Sequence, residues 1–143
     1  AGLLENMMTM AGKSAVPLTT RTPGTLRMAR TCYDHLAGEV AVAIYDFLQQ
    51  QAWLTANGTA LTAAGEAHFA RLGITCDSGS RRKVCCACLD WSERRFHLGG
   101  AAGAALLQWG VQKGWFMPVP GYREVTISEP GKRALGQHFG LAL

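Results

Sequence analysis

The chain has 143 residues, 48% of them apolar, a mean hydropathy of +0.05 and a formal net charge of +4. That is the composition of a soluble globular chain, with material for one shared core or two very small ones. No apolar run reaches the ~18 residues that span a bilayer, which excludes a membrane-spanning helix, and the surplus of base is compatible with an anionic partner without establishing one.

Leu3, Leu4, Met7 and Met8 recur at helical spacing, so residues 1–11 are expected to form a helix with an apolar face. The stretch 13–25 has Pro17, Pro23 and Gly24 among Ser and Thr, a linker composition. Together, residues 1–24 look like the end of an upstream domain followed by its tether. No basic leader precedes an apolar core there, so no secretory signal is expected.

Beyond the linker the same unit occurs twice. His35-Leu36-Ala37-Gly38 is matched by His97-Leu98-Gly99-Gly100, and Trp53 by Trp115, each at a step of 62 residues. A long period seen only twice points to a duplicated unit rather than a solenoid. In the first copy a helix is expected from Asp34, whose carboxylate would cap it, with Leu36, Val40, Ile44, Phe47 and Leu48 on one stripe. A short hairpin from Trp53 to Leu61 follows, turning at Asn57-Gly58, and Thr62 caps a second helix that stops at Gly73. The second copy places Leu98, Ala102, Leu106 and Trp109 on its stripe. Its longer hairpin, 115–127, is tipped by Pro120-Gly121-Tyr122-Arg123, and Ser128 caps its last helix, with Pro130 early in that helix. The second long helix is unusually small-sided from Gly99 to Ala105. Glycine costs about 1 kcal/mol against alanine in a helix, so close approach of another helix, from the first copy or a second subunit, is the expected compensation.

The expected fold is therefore α+β and mostly helical: tandem duplicated units of long helix, two-strand wing and short helix. Residues 25–75 form the first unit, 76–96 a Cys- and Arg-rich segment between repeats, and 97–143 the second unit.

Five cysteines, with Cys76, Cys85, Cys86 and Cys88 crowded and Cys32 apart, read as thiols of a reduced, cytoplasmic chain rather than a disulfide framework. Both copies begin Cys-x-Asp before His-Leu, with the cysteines and aspartates 56 residues apart and the histidines 62, so the second copy carries an insertion. Thiolate, carboxylate and imidazole are ligands for zinc and similar ions. Cys32, Asp34 and His35 could face Cys88, Asp90 and His97, with Cys86 adding a thiol; alternatively Cys85, Cys86 and Cys88 could hold a thiophilic metal or metalloid. Those residues could equally be helix caps and core, or redox-responsive thiols. No catalytic residues emerge. Cys32 and His35 could share a helical face, but no third orienting group is evident, and the glycines from Gly99 to Gly103 follow no expected strand and so make no dinucleotide fingerprint.

Helix, two-strand wing and a final helix opened by Leu/Ile-Thr/Ser-x-x-Gly is the plan of the later half of a winged-helix domain. Through the strings Ala29-Arg30-Thr31-Cys32-Tyr33-Asp34-His35-Leu36-Ala37-Gly38 and Cys88-Leu89-Asp90-Trp91-Ser92-Glu93-Arg94-Arg95-Phe96-His97-Leu98, the chain resembles a subgroup of ArsR-type winged-helix transcriptional regulators over about residues 25–141. The resemblance implies an N-terminal DNA-binding domain followed by a C-terminal region bearing these motifs. Residues 1–11 would match only the last helix of that domain, the one such regulators use to dimerise. What it implies for this chain is a non-enzymatic C-terminal module that dimerises the regulator or senses an effector, with DNA bound by the full-length protein. Direct DNA contact is the alternative, made to phosphates by Arg81, Arg82, Lys83, Arg94, Arg95, Arg123, Lys132 and Arg133. The long helices themselves offer few base-reading side chains.

Overall fold

The computed structural model of the chain describes residues 24–76 and 83–143. The expected N-terminal helix, most of the linker, and Arg81 and Arg82 lie outside the described residues. The architecture is α+β, with five helices and three small two-stranded antiparallel sheets among the described residues. No described helix is long and apolar enough to cross a membrane.

A short helix α1 (Gly24–Met28) leads into β1 (Arg30–Cys32), which turns at Tyr33-Asp34 and returns as β2 (His35–Ala37). The register pairs Arg30 with Ala37, Thr31 with Leu36 and Cys32 with His35. This corrects the helix expected from Asp34. α2 (Glu39–Gln50) begins five residues later, with Gly38 at its N-cap and no side-chain cap. The apolar stripe masked the boundary, because Leu36 in the strand and Val40 in the helix both reach the core at a spacing that imitates one helical turn. Gly38 makes the corner. Its φ is 95°, and a Cβ there would lie 2.7 Å from the Arg27 carbonyl oxygen.

The second half follows the same plan. β3 (Cys86–Leu89) pairs with β4 (Phe96–Gly99), matching Cys88 with His97, and α4 (Gly100–Gln112) follows directly. The residues added between Cys88 and His97 lengthen this hairpin by one pair, Leu89 with Phe96, and replace a two-residue turn by a broader loop.

After α2 the expected hairpin shrinks to a single bridge, Leu54 with Leu61. Its tip is held by side chains, with Thr59 N–H and its hydroxyl both donating to Asn57 Oδ1. α3 (Ala63–Leu72) is capped by Thr62 and ends at the left-handed Gly73. In the second half β5 (Phe116–Pro118) and β6 (Val125–Ile127) form the expected wing, and α5 (Glu129–Phe139) is capped by Ser128 and ends at the left-handed Gly140. The wing is not free near its tip. Thr31 N–H donates to the Arg123 carbonyl at 2.8 Å and Val125 N–H to the Ala29 carbonyl at 3.1 Å, so β1 borders the wing as well as β2.

One apolar core runs through both halves, built from Leu36, Val40, Ile44 and Leu48 of the first and Leu98, Leu106, Trp109 and Phe116 of the second, closed by Phe69, Leu135 and Phe139. Each long helix packs chiefly on the second strand of the other half, α2 on β4 and α4 on β2. Close contacts within and between the halves explain the small side chains of α4. A Cβ at Gly103 would sit 2.3 Å from the Leu98 carbonyl oxygen of β4 and 3.1 Å from His35 Cβ of β2, and one at Gly110 would meet the Phe116 ring at 2.1 Å. The close approach is therefore made by strands and one ring inside the chain, not by the neighbouring helix that the sequence suggested.

The short helices need glycine for a related reason. A Cβ on Gly65 would lie 2.0 Å from the Trp53 carbonyl oxygen, whereas one on Gly73 meets nothing within 4 Å. Gly65→Ala should therefore destabilise by about 2–3 kcal/mol through overpacking, against about 1 kcal/mol for Gly73→Ala, where only the positive φ is strained. Urea midpoints of the two variants measure the difference, and equal losses would contradict this account.

Candidate metal centre

The two hairpins bring their cysteine and histidine pairs face to face. In an antiparallel ladder, residues directly opposite project to the same side, so Cys32 lies beside His35 and Cys88 beside His97. The packing of each helix on the other half's strand then sets β2 against β4. The four donor atoms, two Sγ and two imidazole nitrogens, all lie within 4.8 Å of one another. Both histidines are buried and both cysteines half-buried. Their Nε2 atoms are 3.1 Å apart, with ring centroids at 5.0 Å.

Behind each imidazole stands a carboxylate. Asp90, which has no exposed surface, accepts from His97 Nδ1 at 2.9 Å and from the Gly38 N–H at 2.6 Å through Oδ2. Its Oδ1 accepts from Arg30 and the Ser92 hydroxyl, each at 2.8 Å, and from the Ser92 and Glu93 N–H groups at 3.1 Å. Burial alone would raise this carboxyl, but donation from His97, Gly38, Arg30 and Ser92 outweighs it and holds the group well below the usual carboxylate range. Asp34 does the lesser version, its Oδ1 lying 3.3 Å from His35 Nδ1 with a third of its side chain exposed.

These partners dictate the tautomers. An ionised carboxylate only accepts, so Nδ1 is the protonated nitrogen that faces it and Nε2 is the atom turned toward the other ring. At 3.1 Å the two Nε2 atoms are close enough to share a proton or a metal ion. Carboxylate, histidine and metal in line is the usual outer-shell arrangement of protein metal sites.

The thiols divide by environment. Burial first, then the neighbouring Cys32, pushes the Cys88 thiol up to about 11. Cys85 belongs to the core, its thiol pushed up to about 12 by burial and by Cys76, which burial also raises. Cys86 pairs across the ladder with Gly99 and stays outside the four-donor group.

Of the eight residues the sequence singled out, the structure thus brings Cys32, His35, Cys88 and His97 together, sets Asp34 and Asp90 behind the histidines, and leaves Cys85 and Cys86 aside. Neither aspartate caps a long helix at its own sequence position. The basic residues are dispersed. Arg95 is paired with Asp46 and Lys132 with Glu129, Arg94 is half-buried with φ 58°, and Lys83, Arg123 and Arg133 are exposed.

Sequence reasoning missed Arg30 and the glycines around His35. Arg30 is 1% exposed, bound to Asp90, Ser92 and the Leu26 carbonyl, and covered by the Trp91 ring 4.0 Å from its guanidinium carbon. Gly99 makes room for the cluster, since a Cβ there would lie 3.3 Å from His35 Cε1. The signal for Arg30 was present in the motif string, but nothing in a strand-length segment marks an arginine as buried.

Asp90→Ala would leave Arg30 charged and unpaired in the interior, an expected loss of about 3–5 kcal/mol. Asp34→Ala, at a partly exposed pair, should cost about 1 kcal/mol or less. Denaturant unfolding of both variants tests this inequality.

No family model matches the chain, and no solved structure matches it. Among curated proteins, the chain is similar over its whole length to the uncharacterized HTH-type transcriptional regulator YdfF of Bacillus subtilis (strain 168), at 34% identity over 149 aligned residues. It spans 66% of that protein's length. The likeness supports a transcriptional regulator.

Proposed function

From that whole-length similarity to a transcriptional regulator, we propose that this chain is the effector-sensing region of a bacterial, cytoplasmic regulator of ArsR type, and that its effector is a metal ion held by Cys32, His35, Cys88 and His97. The observation that carries the reading is the convergence of two thiols and two imidazoles within 4.8 Å of one another, with the Nε2 atoms 3.1 Å apart and a carboxylate behind each ring. A bound ion would take both lone pairs and both thiolates. It would add a bond shared between the two halves.

The site draws one Cys-His pair from each hairpin, so the ion would bridge the halves rather than occupy one of them. Asp90 extends its reach, because the carboxylate that orients His97 also accepts from Gly38 at the corner before α2 and from Arg30 in β1. In this reading the regulator works as a homodimer and DNA is contacted by the full-length protein. The small face of α4 is consumed by β2 and Phe116, so a dimer would use another surface.

Zinc added to the reduced, metal-free chain should bind at one ion per chain. At a free concentration of 100 times Kd it should raise stability by about 2.7 kcal/mol, a shift of about 8 °C in Tm. Cys32→Ser and His97→Ala should each abolish the shift. A Tm indifferent to zinc, cadmium and arsenite alike would dispose of the effector reading. Sedimentation equilibrium on the same samples should give a dimer mass, and a monomer mass at every concentration would refute self-association of this region.

A further inference from the structure

We propose that the centre is selective for a divalent, tetrahedral ion of the zinc class over a trivalent thiophilic metalloid or a monovalent soft ion. The proposal rests on the effector reading above and deepens it by naming the class of ion.

The first argument is the donor set. Two thiols and two imidazoles converge, and no third thiol joins them among the described residues. A trivalent arsenic centre is satisfied by three thiolates. The nearest further thiol along the strand, Cys86, is two residues from Cys88, about 6.7 Å along a β-strand. It is held in register opposite Gly99. Cys85 neighbours it but is fully buried in the core cluster. Cys86 projects to the same side of β3 as Cys88 but stands outside the four-donor group, and Cys85 could join only by leaving the core.

Charge balance is the second argument. Two thiolates neutralise a 2+ ion, and the adjacent buried charges, Arg30 and Asp90, already cancel each other at 2.8 Å. A trivalent arsenic centre on the same two thiolates would have to keep a hydroxide as its third ligand, and a monovalent ion would be neutralised by one thiolate, leaving the other thiol protonated. Asp34 does not alter this count, because a third of its side chain faces water.

Geometry supplies the third. With metal to nitrogen bonds of about 2.0–2.1 Å, the edge between two nitrogens of a tetrahedron is about 3.3 Å. The two Nε2 atoms already stand 3.1 Å apart. A linear ion, or a trans pair in a square-planar one, would need about 4.1 Å between them, and a cis pair about 2.9 Å.

Cobalt(II) is the direct probe, because its visible ligand-field bands report tetrahedral geometry and its charge-transfer bands report thiolate ligation. Reduced, metal-free chain should take up one cobalt with intense tetrahedral bands, release it to one equivalent of zinc, and retain it against equimolar arsenite or copper(I). With zinc bound, mass spectrometry after alkylation should find Cys32 and Cys88 protected and Cys86 reactive. Cys86→Ser should change zinc affinity less than twofold, and Cys32→Ser should lower it by about 100-fold or more. If arsenite displaces cobalt and protects Cys86 together with Cys32 and Cys88, or copper(I) displaces it with both imidazoles left free, the selectivity is wrong while the effector reading stands. If no ion binds, both fall.

Discussion

Everything around the centre depends on one buried carboxylate. Asp90 has six hydrogen-bond donors around it, from β1, the corner before α2, its own loop and β4. An ionised group without solvent contact is tolerable only when its lone pairs are filled and a counter-charge is close. Arg30 provides that charge, and Trp91 lies across the guanidinium and keeps water from it. The same carboxylate fixes which His97 nitrogen carries the proton, and so which one faces His35. A core requirement and a chemical one are met by the same atoms.

The two halves cooperate by crossing. Each long helix leans on the other half's strand, so neither hairpin has a complete core alone. Small residues at Gly99 and Gly103 let β2 approach until the imidazoles nearly touch. Glycine in a helix is unfavourable by propensity, and here close packing around a polar cluster offsets it.

Much of this was legible in the sequence, and the illegible parts have physical causes. The repeated His-Leu and Trp landmarks, the Thr62 and Ser128 caps, the glycine stops and the second wing were all readable because each is a local signal with a fixed offset. The first hairpin was not, since three buried strand residues run straight into an amphipathic helix without a polar break. The four clustered residues were among those named from the motif, because cysteine and histidine at matching positions are conspicuous. Which of the eight would cluster was invisible, as it follows from ladder register. The roles of Arg30 and Ser92 were equally hidden, being contacts across about 60 residues of chain.

The seam between β1 and the wing bears on how the chain acquires its shape. Thr31 and Ala29 are among the first described residues, and Arg123 and Val125 are near the last, yet their backbones bond directly. Such pairing has high contact order, and the entropy of closing the intervening chain must be met before the contact gives anything back. During synthesis, the edge of β1 that receives the wing stays open until the final hairpin has emerged. The cysteine and histidine pair of the first hairpin is therefore made well before the wing that borders it, and its strand is locked only when that wing arrives.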